Sequence, residues 1–251
     1  QLFNPDTLVT KETKKSQYQE KNFPEKMSQY EMLSEFNLTL DEHLEVREFC
    51  RSLDIDYSTT PYDASDFDLL DKLKPDWVKI ASMHLVEHDF VKSVMRLGYH
   101  VVISTGMSSG SDIEALRGEL NDDELNRIVI LQCTSEYPCP QKDLKLRVIG
   151  ELLKSWQYVG LSDHSDSETA PAYAVLLGAT VIEKHFTLDR KARGPDHAAS
   201  LEPDAFKNMC YLIAQASEMA GVPEKMLLEV EKKNITPMRR SLIASRDIGV
   251  N

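Results

Sequence analysis

The sequence predicts an α/β fold, a (β/α)8 TIM-type barrel lacking its first two βα units in this chain. Three observations predict it. Six short β-branched runs are nearly continuous in apolar residues, as strands buried on both faces are. These runs alternate with segments of helical periodicity and start about 22 to 30 residues apart, so the strands must be parallel. Reactive residues close every run: Ser58-Thr59-Thr60, Lys79 with Ser82, Ser104-Thr105, Thr134-Ser135, Ser162-Asp163-His164 and Glu183-Lys184-His185. Polar side chains converging from the C-terminal ends of many strands are the barrel arrangement. An open doubly wound sheet uses one switch point, and neither its GxGxxG fingerprint nor a Walker loop is present.

The elements follow in order. The first ~40 residues are polar, carry Pro5 and Pro24, and hold no strand-like run. They read as a long loop with an amphipathic turn around Tyr30–Phe36. A helix over Glu42–Leu53 precedes a strand over Ile55–Ser58. A helix over Phe67–Leu73 stops before Pro75 and leads to the strand Trp77–Ile80. A helix over Val86–Leu97, closed by Gly98, precedes the strand Val101–Ser104. Then come the helix Ser111–Leu120, the strand Ile128–Cys133, the helix Leu144–Trp156 and the strand Tyr158–Leu161. The helix Glu168–Leu177, the strand Thr180–Lys184 and the helix Pro203–Met219 complete the repeat. Residues 1–220 thus read as a partial barrel and 221–238 as a charged linker. Arg239–Ile248 resembles the first strand of a further module, so 239–251 reads as its truncated opening. The first residue is Gln, and the chain is read as starting inside the fold.

Composition narrows the function. The 251 residues carry 29 Lys and Arg against 41 Asp and Glu, a net charge of −12. That balance argues against nucleic-acid or anionic-membrane partners but leaves room for a local basic pocket. No apolar run reaches the roughly 18 residues of a membrane span. Four scattered cysteines, Cys50, Cys133, Cys139 and Cys210, suit reduced thiols rather than a disulfide scaffold. No signal-peptide pattern is present, and a cytoplasmic location is expected.

Two histidines close consecutive runs. Strand alternation puts Ser162 and His164 on one face, and Glu183 and His185 on one face. If both face the lumen, two imidazoles meet at its mouth, a set that with oxygen or water ligands suits Mn²⁺, Zn²⁺, Co²⁺ or Fe²⁺. The alternative is two structural histidines. Lys79 ends a strand expected to be buried, where an unpaired ammonium is costly. It is either the ion-pair partner of Glu183 or Asp163, or the counter-ion of a bound phosphate or carboxylate. In the second case Thr60, Ser82, Ser104 and Ser162 supply hydroxyl donors, a set fitting the phosphate ester of a small acid. Arg193-Gly194-Pro195-Asp196-His197 marks a turn. There Asp196 either lies on the surface, accepts sugar hydroxyls or orients a metal-bound water. Tyr137 either stacks on a substrate or packs within its loop. His43, His88 and His100 carry no spacing signal and read as surface or core residues.

Six ordered motifs resemble the sialic acid synthases, that is, the N-acetylneuraminate and related nonulosonate synthases. They are Lys79-Ile80-Ala81-Ser82, Ile103-Ser104-Thr105-Gly106-Met107, Gln132-Cys133-Thr134-Ser135-Glu136-Tyr137-Pro138, Leu161-Ser162-Asp163-His164-Ser165, Glu183-Lys184-His185-Phe186-Thr187 and Gly194-Pro195-Asp196-His197. The resemblance runs from about Gln1 to Ile248. It implies a transferase that adds C3 of phosphoenolpyruvate to the aldehyde of an open-chain N-acetylated hexosamine. Water attacks C2 and phosphate leaves with C–O cleavage. The resemblance implies that His164 and His185 hold a divalent metal, Mn²⁺ with Mg²⁺ or Co²⁺ as alternatives. Lys79, Thr60, Ser82, Ser104 and Ser162 would hold phosphoenolpyruvate, with Ser135 beside them, and Tyr137 and Asp196 would face the sugar. The stretch Asp196–Pro203, DHAASLEP, leans toward the N-acetylneuraminate branch, with legionaminic and pseudaminic types open.

Departures from the family pattern are specific. Two residues after the cradle serine the family has a carboxylate, where this chain has His84. An imidazole there can act as acid or base near neutral pH but offers no anionic acceptor. The family's first-strand Glu and Asn-His segment are absent, and its second-strand Lys-Phe-Gln survives as Gln1, with Leu2-Phe3. The family also has a C-terminal antifreeze-like domain that swaps over the partner's active site and supplies an arginine. Only its opening, Arg239–Ile248, is present, and the resemblance implies a homodimer for the longer protein. The rival readings are a non-catalytic sugar- or phosphate-binding barrel, with His84 marking lost activity, and a metal-dependent hydrolase.

Overall fold

The computed structural model describes residues 1–249. It divides into two units, one over residues 1–219 and one from residue 220 onward. The first unit is built on a six-stranded parallel sheet whose strands lie side by side in chain order. They are β1 (Ser58–Thr59), β2 (Trp77–Ile80), β3 (Val101–Ser104), β4 (Ile128–Cys133), β5 (Tyr158–Asp163) and β6 (Val181–Lys184). Every crossover contains a helix: Phe67–Leu73, His88–Arg96, Gly110–Gly118 with Asp122–Leu125, Val148–Leu152 and Ala170–Leu176. Pro203–Ala220 follows β6.

Period-two alternation sorts the sheet into two faces. Val78, Ile80, Val101, Ile103, Ile128, Ile130, Val159 and Leu161 pack into one core with Leu70, Leu73, Val91, Val94, Leu116 and Ile149 of the helices. Burying each such side chain stabilises by about 1.5–3 kcal/mol. The alternate residues Lys79, Ser104, Ser162 and Glu183 line a cavity on the other face. Thr60, just past β1, and His185, just past β6, line that same cavity, so the sheet curls around it. The result is a curled half-barrel.

Gly160 permits that curl at the centre of the sheet. A Cβ there would run into the Val181 carbonyl oxygen and lie 2.5 Å from Leu131 Cδ2. Only glycine lets β5 approach both neighbours this closely.

Several expected boundaries move. The first strand is Ser58–Thr59, not Ile55–Ser58. Asp54 turns left-handed at φ 56° and Ile55 is exposed, so 54–57 is the turn out of the helix Leu40–Ser52. The helix expected over Leu144–Trp156 shrinks to Val148–Leu152, because Lys145 adopts a left-handed φ of 50°. β5 extends two residues beyond expectation, to Asp163. The N-terminal stretch carries three short helices, Pro5–Leu8, Gln17–Asn22 and Gln29–Phe36. It is not free of sheet pairing either. Leu2 forms a parallel bridge with Pro61, its N–H donating to Thr60 O at 2.7 Å and its carbonyl accepting from Tyr62 N–H at 3.1 Å.

In the second unit, the stretch expected to be a linker holds a helix over Glu229–Met238. The strand expected over Arg239–Ile248 is not formed among the described residues. A strand needs a partner ladder, and this stretch has none there. Val250 and Asn251, the end of that reading, lie outside the described residues. No helix among the described residues is long and apolar enough to cross a membrane.

Candidate active site

The residues just beyond the strands converge on a cavity of about 680 Å³. It is lined by Thr60, Lys79, Ser82, Ser104, Ser135, Tyr137, Ser162, His164 and His185, nine of the eleven expected site residues. Asp196 lines an adjoining cavity of about 630 Å³ that shares Tyr137 and His185 with the first. The structure thus brings ten of the eleven together.

His84 is the exception. The 3-10 turn Ser82–His84 sends Ser82 to the cavity and His84 away from it. The His84 ring packs 4.6 Å from Phe90 and 5.6 Å from Tyr62, and its Nδ1 lies 3.0 Å from Glu87 Oε2. Its side chain is buried. A catalytic role by direct contact is therefore corrected: the imidazole fills an aromatic pocket behind the site.

One half of the cavity is built around Lys79. Its Nζ donates to Ile80 O at 2.8 Å and lies 3.5 Å from Glu183 Oε2. Ser162 Oγ donates to Glu183 Oε1 at 2.6 Å. Of the two ion-pair partners considered for Lys79, Glu183 is the one found. Asp163 instead pairs with Lys184 on the opposite face, at 2.7 Å. Glu183 therefore holds two of the cradle donors, and the loose Lys79 pair leaves the ammonium free to meet a stronger anion. Ser104 Oγ is buried without a hydrogen-bond partner among the described residues. Gly106 N–H donates to Ser82 Oγ at 3.0 Å, and a Cβ on Gly106 would collide with Ser135 Oγ and lie 2.8 Å from Ser82 Oγ. The turn after β3 is thus pressed against two cradle hydroxyls.

The histidine half lies beside it. The His164 and His185 ring centroids are 5.3 Å apart and edge-on, at 83°. His164 Nδ1 lies 2.9 Å from Thr134 O, so it carries the proton and donates, leaving Nε2 with its lone pair. Burial pushes both imidazoles below the ordinary histidine range. Neutral, oriented imidazoles with a backbone carbonyl behind one of them are what a divalent metal requires. No group of three or more His, Cys, Asp or Glu among the described residues is arranged to hold a metal. A metal here would take two protein nitrogens and fill its remaining positions from water or substrate.

Tyr137 packs between the histidines and the N-terminal stretch. Its ring lies 4.2 Å from His164 and 4.6 Å from Tyr18. Burial, first of all, raises the phenols of Tyr18, Tyr62 and Tyr137, that of Tyr62 to about 12. All three remain hydroxyl donors at neutral pH. Asp196 Oδ1 is buried without a hydrogen-bond partner among the described residues, an acceptor in the same cavity as these phenols.

Sequence reasoning missed the contribution of the N-terminal stretch. Gln1, Ser16, Gln17, Tyr18, Gln19 and Gln29 line the cavity, as does Tyr62. The stretch is anchored by Arg193, which ion-pairs with Glu25 and Glu35 and sits 4.7 Å over the Phe23 ring. Asn22 Nδ2 donates to Pro195 O at 2.9 Å. A polar segment whose one pattern is a single amphipathic turn around Tyr30–Phe36 carries no signal that it folds back over a site.

Comparison with known proteins gives a consistent set. A family model described as "NeuB family" matches residues 1–225. The N,N'-diacetyllegionaminic acid synthase of Campylobacter jejuni is 36% identical over 251 residues, 99% of this chain and 75% of that protein. The pseudaminic acid synthase of the same species is 32% identical, covering 99% of this chain and 72% of that protein. Among solved structures, the N-acetylneuraminic acid synthetase of Leptospira borgpetersenii in complex with citrate superposes with a TM-score of 0.79. It is 26% identical and aligns over 88% of this chain and 77% of its own.

Proposed function

This chain belongs to the NeuB family, and from that premise we propose that it condenses phosphoenolpyruvate with an N-acetylated hexosamine aldehyde to give a nonulosonic acid and phosphate. The observation that carries the reading is the convergence of one lysine, four strand-end hydroxyls and two neutral imidazoles on a single cavity. Lys79 with Thr60, Ser82, Ser104 and Ser162 binds the phosphate and carboxylate of phosphoenolpyruvate, displacing Glu183 from Lys79. Ser135 supports that end of the ligand, and Tyr137 and Asp196 hold the acceptor through its hydroxyl and amide groups. His164 and His185 would hold a divalent metal, Mn²⁺ foremost, which supplies Lewis-acid polarisation of the acceptor aldehyde. C3 of phosphoenolpyruvate bonds to the aldehyde carbon, water adds at C2, and phosphate leaves with C–O cleavage. The N-terminal stretch over the cavity limits the water that reaches the reacting carbons.

The curled sheet, with Leu2 pairing beyond β1, is read as part of an eight-stranded barrel. The working enzyme is read as a cytoplasmic homodimer. The relatives that make diacetyllegionaminic and pseudaminic acids support a diacetamido deoxyhexose as acceptor alongside N-acetylmannosamine. The test is phosphate release by the purified protein from phosphoenolpyruvate and Mn²⁺ with each aldose, beside chelator and no-sugar controls. Release that needs both metal and sugar is expected. Binding of phosphoenolpyruvate with no release for any aldose overturns the reading in favour of a binding barrel.

A further inference from the structure

β5 and β6 pair in register through Ser162↔Glu183 and finally Asp163↔Lys184. The next residue on each strand is a cavity histidine, His164 and His185. The last rung of this ladder is therefore one residue short of both imidazoles. Its two side chains point to the opposite face and form an ion pair of 2.7 Å with side-chain exposures of 1% and 0%. Lys184 Nζ also donates to Ser165 O at 2.5 Å and to Ser167 O at 3.4 Å. Asp163 Oδ1 accepts from Ser165 N–H at 2.8 Å. The turn that carries His164 is thus tied on its far side to the residue preceding His185.

The two rings are not held alike. His164 has its own tether, Nδ1 to Thr134 O at 2.9 Å. The His185 backbone is held where its carbonyl accepts from Leu201 N–H at 2.9 Å. No side-chain hydrogen bond to His185 is formed among the described residues, so its ring is placed by its backbone and by packing against the His164 and Tyr137 rings. Both strand ends are fixed by the buried pair beneath them. A buried ion pair is weak evidence for stability, and its best-attested use is to fix register.

We propose that Asp163 and Lys184 are positioning residues that set the separation of His164 and His185 for a shared divalent cation. The inference rests on the metal reading above. The pair touches neither substrate nor metal; it acts through the backbone one residue upstream of each imidazole.

The test is Mn²⁺ titration of the full 251-residue chain, read from the electron paramagnetic resonance of the free ion. Asp163→Asn/Lys184→Met removes both charges, keeps the acceptor for Ser165 N–H, and leaves no uncompensated buried ion. It is expected to melt cooperatively and bind Mn²⁺ about 10- to 100-fold more weakly. Affinity for phosphoenolpyruvate in chelator is expected to stay unchanged. In the metal-free variant, amide exchange across residues 164–169 is expected to speed up. Wild-type Mn²⁺ affinity in the folded double variant overturns the inference and leaves the metal reading standing. A wild-type chain that binds no Mn²⁺ overturns both. If the double variant does not fold, Asp163→Asn/Lys184→Gln, which also removes both charges but keeps a donor at position 184 for Ser165 O, decides between the same outcomes.

Discussion

Lys79 faces Glu183 at a distance that costs little to break, 3.5 Å with Glu183 a third exposed. Losing its ammonium should therefore matter when an anion arrives rather than in the fold. Lys79→Ala is expected to raise KM for phosphoenolpyruvate by at least about tenfold, the scale of one charge-assisted hydrogen bond. KM for the sugar should move far less, and steady-state kinetics with each substrate varied in turn would expose equal effects. His164→Ala and His185→Ala are each expected to abolish metal-dependent turnover while circular dichroism still reports a folded chain. Unchanged turnover in either removes it from the metal site. A pH effect belongs at this scale too. Burial lowers the pKa of His43, as of His164 and His185, below the ordinary 6.5. On acidification the unfolded chain takes up these protons first, so the contribution of these three groups to stability falls as pH drops below about 6.5 and is constant above it. His43 Nδ1 lies 2.9 Å from Tyr57 Oη. His43→Gln keeps a polar partner there without a titrating ring. Urea unfolding near pH 7.5 and pH 5.5 should show a smaller loss in that variant, and an equal loss would count against His43.

At the scale of elements, two glycines set the strand geometry. Gly160→Ala would press a methyl into Val181 backbone and Leu131, and backbone cannot rotate aside. A loss of about 1–3 kcal/mol is expected from this overpacking, measurable by denaturant titration. Gly106→Ala meets serine hydroxyls instead, which can rotate. Here stability should hold while KM for phosphoenolpyruvate rises, because Ser82 and Ser135 must turn from the cradle. The strands were legible in the sequence because their burial on both faces leaves continuous apolar runs, as in Val101–Ser104 and Ile128–Cys133. So was the parity of the site, since Ser162 with His164 and Glu183 with His185 do share the cavity face. Exact ends were less legible. Asp54 and Lys145 take left-handed φ, which no pattern of hydrophobicity encodes. His84 was expected in the site from its place two residues after the cradle serine, and the 3-10 turn Ser82–His84 instead points those two side chains apart.

For the whole molecule, the largest gap in the sequence reading is the first 36 residues. Their contacts reach to Arg193 and Pro195, roughly 160 to 170 positions away, and nothing local announces them. Arg193→Ala is expected to leave the core stable, since both its ion pairs are exposed. It should speed amide exchange over residues 15–36 and weaken sugar binding more than phosphoenolpyruvate binding, because Tyr18 stacks on Tyr137. Unaltered exchange there would show that the anchor lies elsewhere. The cavity itself joins elements of very different chain separation. His164 and His185 approach across one strand–helix–strand unit, closing a loop of about 20 residues, whereas Lys79 finds Glu183 about a hundred positions away. The longer closure costs about 1.4 kcal/mol more in chain entropy before any contact repays it. During folding the imidazole pair should therefore assemble early and the anion cradle late. Pulse-labelled exchange would then protect amides of 158–185 ahead of those around Lys79, and a nascent chain would bring its two imidazoles together before Lys79 had met Glu183.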